Sequence, residues 1–441
     1  MSERLIIHTY KQSFKADTLM FELAKESGRI YTKAMKLNKI KHKDFSEINE
    51  IMQQFCKKNC KFLHSQSAQA SYQAFIVNLK AYFKALKQFN RDPSKFSGKP
   101  KPPKKNKFLY KITFKKAAIR RKDNELWLST KKPNEPIRIK WAKHLPIPIW
   151  VTINYDKYEG WNINFILEKK YKQLELNHNE VMSIDLGVKR VATTFDTPSK
   201  ETITYNGKAL MSLDRLRNKV DGKIKSKKSE YKRGGRKHKK ISRAKRKIVK
   251  RIKNKEKDIL HRFSRMIVND AIDKDIGKII IGDNASTHKD TNLGKINNQK
   301  ITQGVEQQLR KYIQYKFESV GGTTEVVPEA YTSRTCPKCD NVKSSSPKGR
   351  TYVCHSHSYN GECDFAFDRD GVGAINILKK NVSFDPQWWS DVVGGLTPPK
   401  GVKYTPGLSL IQSLNKVEER ILNDCQDHIE IDNTLSALAI A

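Results

Sequence analysis

The chain has 441 residues, length for about two to four domains, and carries 86 Lys and Arg against 46 Asp and Glu, a formal net charge of +40. Such self-repulsion gives folding nothing, so a polyanionic partner is the first expectation and general solubilisation or ribosome-like packing the plainer alternative. No run of about 18 apolar residues occurs and the opening MSERLIIHTYKQSF has no long apolar region, so neither membrane insertion nor secretion is expected; seven cysteines, four of them between 336 and 363, suit a reduced compartment and one metal site better than a disulfide framework.

The first residues read as a strand, followed by helical material. In YQAFIVNLKAYFKAL, Tyr72, Phe75, Ile76, Leu79, Phe83 and Leu86 fall on one side of a helix, the spacing of a packed amphipathic element. Pro100, Pro102 and Pro103 then exclude regular structure, and the lysines around them make a basic linker. From 108 to 178 the period changes to two: Phe108, Tyr110, Ile112 and Phe114 alternate, and VTINYDKYEGWNINFIL gives two alternating runs around a turn. A small antiparallel sheet or barrel is expected, with the helices inserted after its first strand.

After Glu180, VMSIDLG is a short apolar run, RVATTF and ETITYNG are hairpin partners, and a long helical region follows. GKIIIGDN supplies another buried strand, ITQGVEQQLRKYIQYKFESVG a helix, TTEVVPEA a further strand and DGVGAINILKK a last helix. Three antiparallel-compatible strands, then strands alternating with helices, is the element order of an α/β, RNase H-like fold, whose sheet can carry acids from distant segments to one edge. Beyond residue 382, FDPQWWSDVVGGLTPPKG reads as an exposed aromatic and proline-rich loop, and the acidic stretch after it has no assigned role.

Between Arg215 and Lys257 there are 22 Lys or Arg against three acids, Asp221, Glu230 and Glu256. Such density calls for phosphate, salt or water around it. Ile241, Ile248, Ile252, Ile259 and Phe263 recur at helical spacing, so one face can pack on protein. Lys237, Lys239, Lys240, Arg243, Arg246, Lys247, Lys250 and Arg251 are then the candidates for nucleic-acid backbone contact, a solvated charged helix being the alternative. Gly234 and Gly235 interrupt the helix with a loop.

Cys336 and Cys339 form a CPKC pair, and Cys354 and Cys363 a wider one. Four thiolates suit a tetrahedral Zn²⁺, with His355 or His357 able to replace one sulfur. Cys56, Cys60 and Cys425 have no such arrangement. Phosphodiester cleavage on an RNase H-like sheet needs carboxylates that hold divalent ions. Asp185 ends an apolar strand before Gly187, and Asp370 opens a helix whose Gly373 and Ala374 permit close packing on a sheet.

IDLGVKRVATT, YTSRTCPKC and CDFAFDRDGVGAINIL together resemble the TnpB family of transposon-encoded RNA-guided nucleases, relatives of the compact Cas12 and Fanzor proteins. The resemblance spans about residues 1 to 380. It implies a wedge β-barrel (1–15 and 93–178) interrupted by a helical recognition domain (16–92), and a RuvC nuclease domain (179–333 and 368–382) with a zinc-binding target-nucleic-acid element at 334–367. It further implies a Mg²⁺-dependent endonuclease that binds a guide RNA and cuts double-stranded DNA beside a short transposon-associated motif; a guide-dependent DNA-binding repressor and a non-catalytic RNA-binding protein are the alternatives. Many members end the IIIGDN strand on a catalytic glutamate, where this chain has Gly282. The resemblance therefore places the metal-binding acids at Asp185, Glu329 and Asp370, with Glu329 relocated from the neighbouring strand and Asp283 the other choice. Asp368 is expected beside the site without being a principal ligand, Glu325 too low on the sheet, and Val372 stands where members often have asparagine. A prokaryotic host would place the protein in the cytoplasm or nucleoid and a eukaryotic one in the nucleus; oligomeric state is left open.

Overall fold

The strand Glu3–Phe14 (β1) opens the computed structural model, which describes residues 3–403 apart from 15–16, 42–44, 97, 105–108, 157–159, 284–304, 346, 348, 355–356 and 359–360. Two units can be separated among the described residues, one covering 5–170 and the other 171–403 together with 3–4.

In the first unit, helices α1 (Thr18–Lys41), α2 (Phe45–Asn59) and α3 (Ser65–Arg91) follow β1. They bury Leu23, Ile30, Ile48, Met52, Tyr72, Phe75 and Leu79. The apolar stripe expected on α3 does not run its full length: Phe83 is 51% exposed, and Tyr82, seven residues after Phe75, packs inward instead. Strands β2 (Ile112–Lys115), β3 (Ile119–Lys122), β4 (Glu125–Leu128), β5 (Ile137–Lys140), β6 (Trp150–Asp156) and β7 (Gly160–Lys172) complete the unit. They form a four-stranded sheet ordered β1-β7-β6-β2 and a three-stranded sheet β3-β4-β5. Strict alternation puts Ile112, Phe114, Val151, Ile153, Ile163 and Phe165 in the core. The helices are thus inserted, in chain order, between strands of one sheet. Phe108 lies outside the described residues.

The second unit begins with β8 (Asn177–Asp185), β9 (Arg190–Asp196) and β10 (Thr202–Asn206). Helices α4 (Lys208–Ser229) and α5 (Arg236–Asp273) follow, divided at Gly234 and Gly235 as expected. Then come β11 (Ile276–Asp283), α6 (Glu306–Ser319) and β12 (Thr323–Pro328). The short strands β13 (Thr351–Val353), β14 (His357–Ser358), β15 (Gly361–Glu362) and β16 (Ala366–Asp368) lead into α7 (Arg369–Asn381). The described chain closes with α8 (Pro386–Gly394) and β17 (Lys400–Val402).

The main sheet is ordered β12-β11-β8-β9-β10-β17. β8, β9 and β10 are antiparallel neighbours, and β11 runs parallel to both β8 and β12. This arrangement is consistent with an RNase H-like, RuvC-type domain. Residues 181–184 are buried without alternation because both faces of β8 are covered. Met182 and Ile184 join Phe263, Ile267, Leu309 and Ile313 of α5 and α6, whereas Val181 joins Ile375 and Leu378 of α7.

Two expectations are corrected here. Ile248 does not pack inward but is 37% exposed, the burial of α5 running instead from Ile252 to Ala271. The stretch after residue 382 is not an exposed loop. Asp385 accepts the Gln387 N–H at 2.7 Å, Pro386 opens α8, and Trp389 and Val392 are buried, while β17 extends the sheet. Those capping residues turn an aromatic segment into an amphipathic helix. The expected acidic tail, with Cys425, lies outside the described residues.

Lys316 of α6 is buried (5% exposed), its Nζ donating to the His261 carbonyl at 2.6 Å and to Ser264 Oγ at 2.7 Å. Burial, with Arg265 adding repulsion, lowers its pKa to about 7. The unfolded chain then holds a proton that the folded chain lacks between about pH 7 and the ordinary lysine value, so stability rises with pH through that window by up to about 1.4 kcal/mol per unit. Lys316→Met should flatten that rise, read as urea midpoints at about pH 7.5 and 9.

Candidate active site

Because β8, β11 and β12 are parallel, their carboxyl ends reach the same edge of the sheet. The register sets Ile281 opposite Ile184, Gly282 opposite Val327 and Asp283 opposite Pro328. Asp185 is the last residue of β8, and Glu329 follows β12 directly. A Cβ built on Gly282 would lie 2.0 Å from Glu329 Oε1 and 2.4 Å from its Cγ. The glutamate side chain of the outer strand therefore fills the space that a side chain at 282 would enter. Across the sheet face, a Cβ on Gly373 of α7 would lie 2.4 Å from Asp185 Oδ2, so the missing side chain there makes room for the carboxylate.

Asp185 is half-buried by surface area yet enclosed by protein at its carboxyl end. Burial, then the charges of Glu329, Asp370 and Glu306, push its pKa well above the ordinary carboxylate range, with Arg369 opposing them. Acids on three separate segments thus act on Asp185 through their charge. Burial also raises the pKa of Glu306, in the first turn of α6.

Asp370 is tied to arginines: Arg350 Nη1 lies 2.8 Å from its Oδ2 and Arg190 Nη1 3.5 Å. Asp368 caps α7, its Oδ1 accepting the N–H groups of Asp370 and Gly371, both at 3.1 Å, and it also accepts from Arg190. Asp283 instead pairs with Arg310 Nη1 of α6 at 2.8 Å. Glu325, half-exposed, pairs with Lys278 at 2.9 Å, lower on the sheet. Val372 has no exposed surface and belongs to the core under α7.

The four cysteines come together. Cys336 and Cys363 have sulfurs 3.8 Å apart, Cys339 and Cys354 3.6 Å, and all four ligand atoms lie within 4.8 Å of one another. This cluster fits one tetrahedral ion of the zinc type. The turn after Cys336 (Asp340 N to Cys336 O, 2.9 Å) and the bond from Cys354 N to Phe365 O (2.8 Å) set the two halves. His355 and the side chain of His357 lie outside the described residues. Cys56 and Cys60 are buried in the first unit.

Residues 307–377 match the family described as the Cas12f1-like TNB domain, and residues 165–287 a family described as a probable transposase. A CRISPR-associated endodeoxyribonuclease Cas12f1 of Sulfoacidibacillus thermotolerans is 27% identical over 237 residues, 52% of this chain and 53% of that protein. A TnpB-like protein of Methanocaldococcus jannaschii is 26% identical over 208 residues, 46% of this chain and 70% of that protein. About half of the chain is thus similar to TnpB-like and Cas12f1 proteins. The fold agrees: a cryo-EM Cas12f1–sgRNA–target DNA complex superposes with a TM-score of 0.52 at 14% identity, covering 84% of this chain and 82% of that one. The chain thus spans about half the length of its Cas12f1 relative and more of its TnpB-like one.

α4 and α5 are pinned together by some of the few acids of the basic segment. Asp221 pairs with Lys225 at 2.9 Å and with Lys245, and Glu256 with Arg217 at 3.3 Å. Of the eight candidate contact residues, Lys237, Lys239, Lys240, Arg243, Arg246, Lys247 and Arg251 are exposed and Lys250 is half-buried. No helix among the described residues is long and apolar enough to cross a membrane. Three features escaped the sequence reading. Glu306 could have been flagged as the acid opening the helix after β11. Asn376, buried on α7, donates to the carbonyls of Thr332 and Thr335, both at 2.7 Å, and so ties the loop after Glu329 to the helix that carries Asp370. The arginines on Asp370 had no signal, since Arg190, Arg350 and Asp370 lie far apart in the chain.

Proposed function

We propose that the chain is an RNA-guided endonuclease that cuts double-stranded DNA beside a short transposon-associated motif, with Asp185, Glu329 and Asp370 holding Mg²⁺. The observation that carries this reading is the Glu329 carboxylate lying over Gly282, with Asp185 raised in pKa by burial first and then by the acids around it. Divalent cations held by such acids supply Lewis acidity toward the phosphate and make water a better nucleophile. The protein's part is to keep the carboxylates converged: Gly282 and Gly373 leave them room, Asp368 fixes the start of α7, and Asn376 fixes the loop behind Glu329. A DNA-binding repressor or a non-catalytic RNA-binding protein has no need of mutually repelling acids in one site. Asp283, which is not among the acids whose charge raises the pKa of Asp185, is the weaker choice for the third acid.

On this reading residues 1–15 and 93–178 form the wedge, 16–92 the recognition helices, 179–333 and 368–382 the nuclease domain, and 334–367 a zinc-bearing element on the target side. The exposed cations of α5 hold phosphate backbone, and guide pairing supplies the sequence reading that backbone contacts cannot. Sequencing the RNA that copurifies and exchanging its guide portion tests the proposal. Cleavage should follow the new guide, and target binding should weaken steeply with salt. Cutting by RNA-free protein would point to a generic nuclease, and RNA binding without cutting to a repressor or scaffold.

A further inference from the structure

Beside the acids, a cavity of about 480 Å³ is lined by five cations, Lys189, Arg190, Lys208, Arg215 and Arg350, with Asn206 and no carboxylate. Its wall is backbone drawn tightly together. Gly207 N donates to Lys189 O at 2.9 Å, and a Cβ on Gly207 would lie 2.9 Å from the carbonyl oxygens of both Lys189 and Val188. That approach brings the start of β9 against the first turn of α4, a 22-residue helix with no acid in that turn, whose first N–H, that of Lys208, donates to Asn206 Oδ1 at 2.9 Å. The positive end of the helix thus adds to the side-chain charge. Among the described residues no carboxylate forms an ion pair with Lys189, Lys208 or Arg215, whereas Arg190 and Arg350 reach from this cavity to Asp370.

We propose that this cavity seats a phosphate of the DNA strand being cut, next to the phosphate that faces the three acids. The inference rests on the nuclease reading above. Arg190 and Arg350 are already paired with Asp368 and Asp370, but Lys189, Lys208 and Arg215 keep the hollow positive, and an anion seated there offsets their mutual repulsion. Arg190 and Arg350 link the two places: bound at once to the cavity and to Asp370, they set the distance between the seated phosphate and the acids. Lys208 and Arg215 bind that phosphate and touch no catalytic acid.

The test uses the protein with its copurified, reprogrammed RNA. Target duplexes each carry one methylphosphonate, which removes the charge of a single phosphate, scanned along the cut strand. Initial rates are taken in Mg²⁺ and equilibrium binding in Ca²⁺, for the wild type and for Lys208→Ala/Arg215→Ala, both of whose side chains are exposed. In the wild type a neutral phosphate within about three nucleotides of the cut should raise KM and weaken binding about tenfold, with kcat little changed. The double variant should show that same loss on unmodified DNA and no further loss on the modified duplex, since both changes remove one contact. An unchanged KM in the variant, or a methylphosphonate penalty that persists in it, overturns the proposal. So does loss of the copurified RNA from the variant, which would place the phosphate on the guide, or relief of the difference by millimolar inorganic phosphate alone, which would make the cavity a site for the free ion. If the wild-type complex binds in Ca²⁺ but cuts nothing in Mg²⁺, the nuclease reading fails while the binding scan still decides the cavity.

Discussion

Glu329→Ala should lower cleavage by about a thousandfold or more, and adding Gly282→Glu to it should restore activity to within about a hundredfold of the wild type. The three atoms nearest to a Cβ at 282 are Glu329 Oε1, Cγ and Cδ, at 2.0, 2.4 and 2.5 Å, and alanine at 329 removes all of them. The space then vacated is the space a glutamate at 282 would enter, from the neighbouring parallel strand. Gly282→Glu on its own collides with Glu329 and should also lose activity. The four proteins form a double-mutant cycle in which two damaging changes partly cancel, a pattern that general destabilisation does not give. Guide and target binding, measured in Ca²⁺, should be similar in all four. A double variant as inactive as Glu329→Ala, or loss of cleavage on Asp283→Asn with Glu329→Ala still active, would overturn the assignment.

The second large effect concerns the cysteine cluster. Freshly purified, reduced protein should contain one zinc per chain by elemental analysis, and Cys336→Ser should lose it together with about a hundredfold or more of cleavage rate, while target binding falls far less. The route is structural. β13 and β16 pair with Thr351 opposite Asp368, Asp368 caps α7, and Asp370 lies in the first turn of that helix. Asn376 of the same helix grips Thr332 and Thr335, between Glu329 and Cys336. Losing the ion frees both ends of this element, and a shift of about 1 Å at Asp370 or Glu329 is enough for the expected loss. Zinc-free protein that cuts normally would sink the argument.

What the sequence determined by itself was whatever is written locally or in composition. The +40 charge, the CPKC pair, the strand alternation before residue 170 and the glycine pair between two basic helices are each legible over a few residues, because charge, ligand spacing and period act at short range. The likeness of IDLGVKRVATT and DRDGVGAINIL to known nucleases carried the acids at Asp185 and Asp370 in the same way. Periodicity misled where it had no core to report on: Phe83 and Ile248 have helical spacing but are 51% and 37% exposed. It also could not show that Asp385 and Pro386 start a helix that buries Trp389. The tertiary structure alone decided where Glu329 points, because that depends on β12 lying parallel beside β11 and on the space left at Gly282, a distance of 47 positions in the chain that no local pattern spans. It likewise decided that Arg190 and Arg350 meet on Asp370, since a long-range contact is set by the packing of the sheet and α7 and leaves no trace in the spacing of the residues that make it.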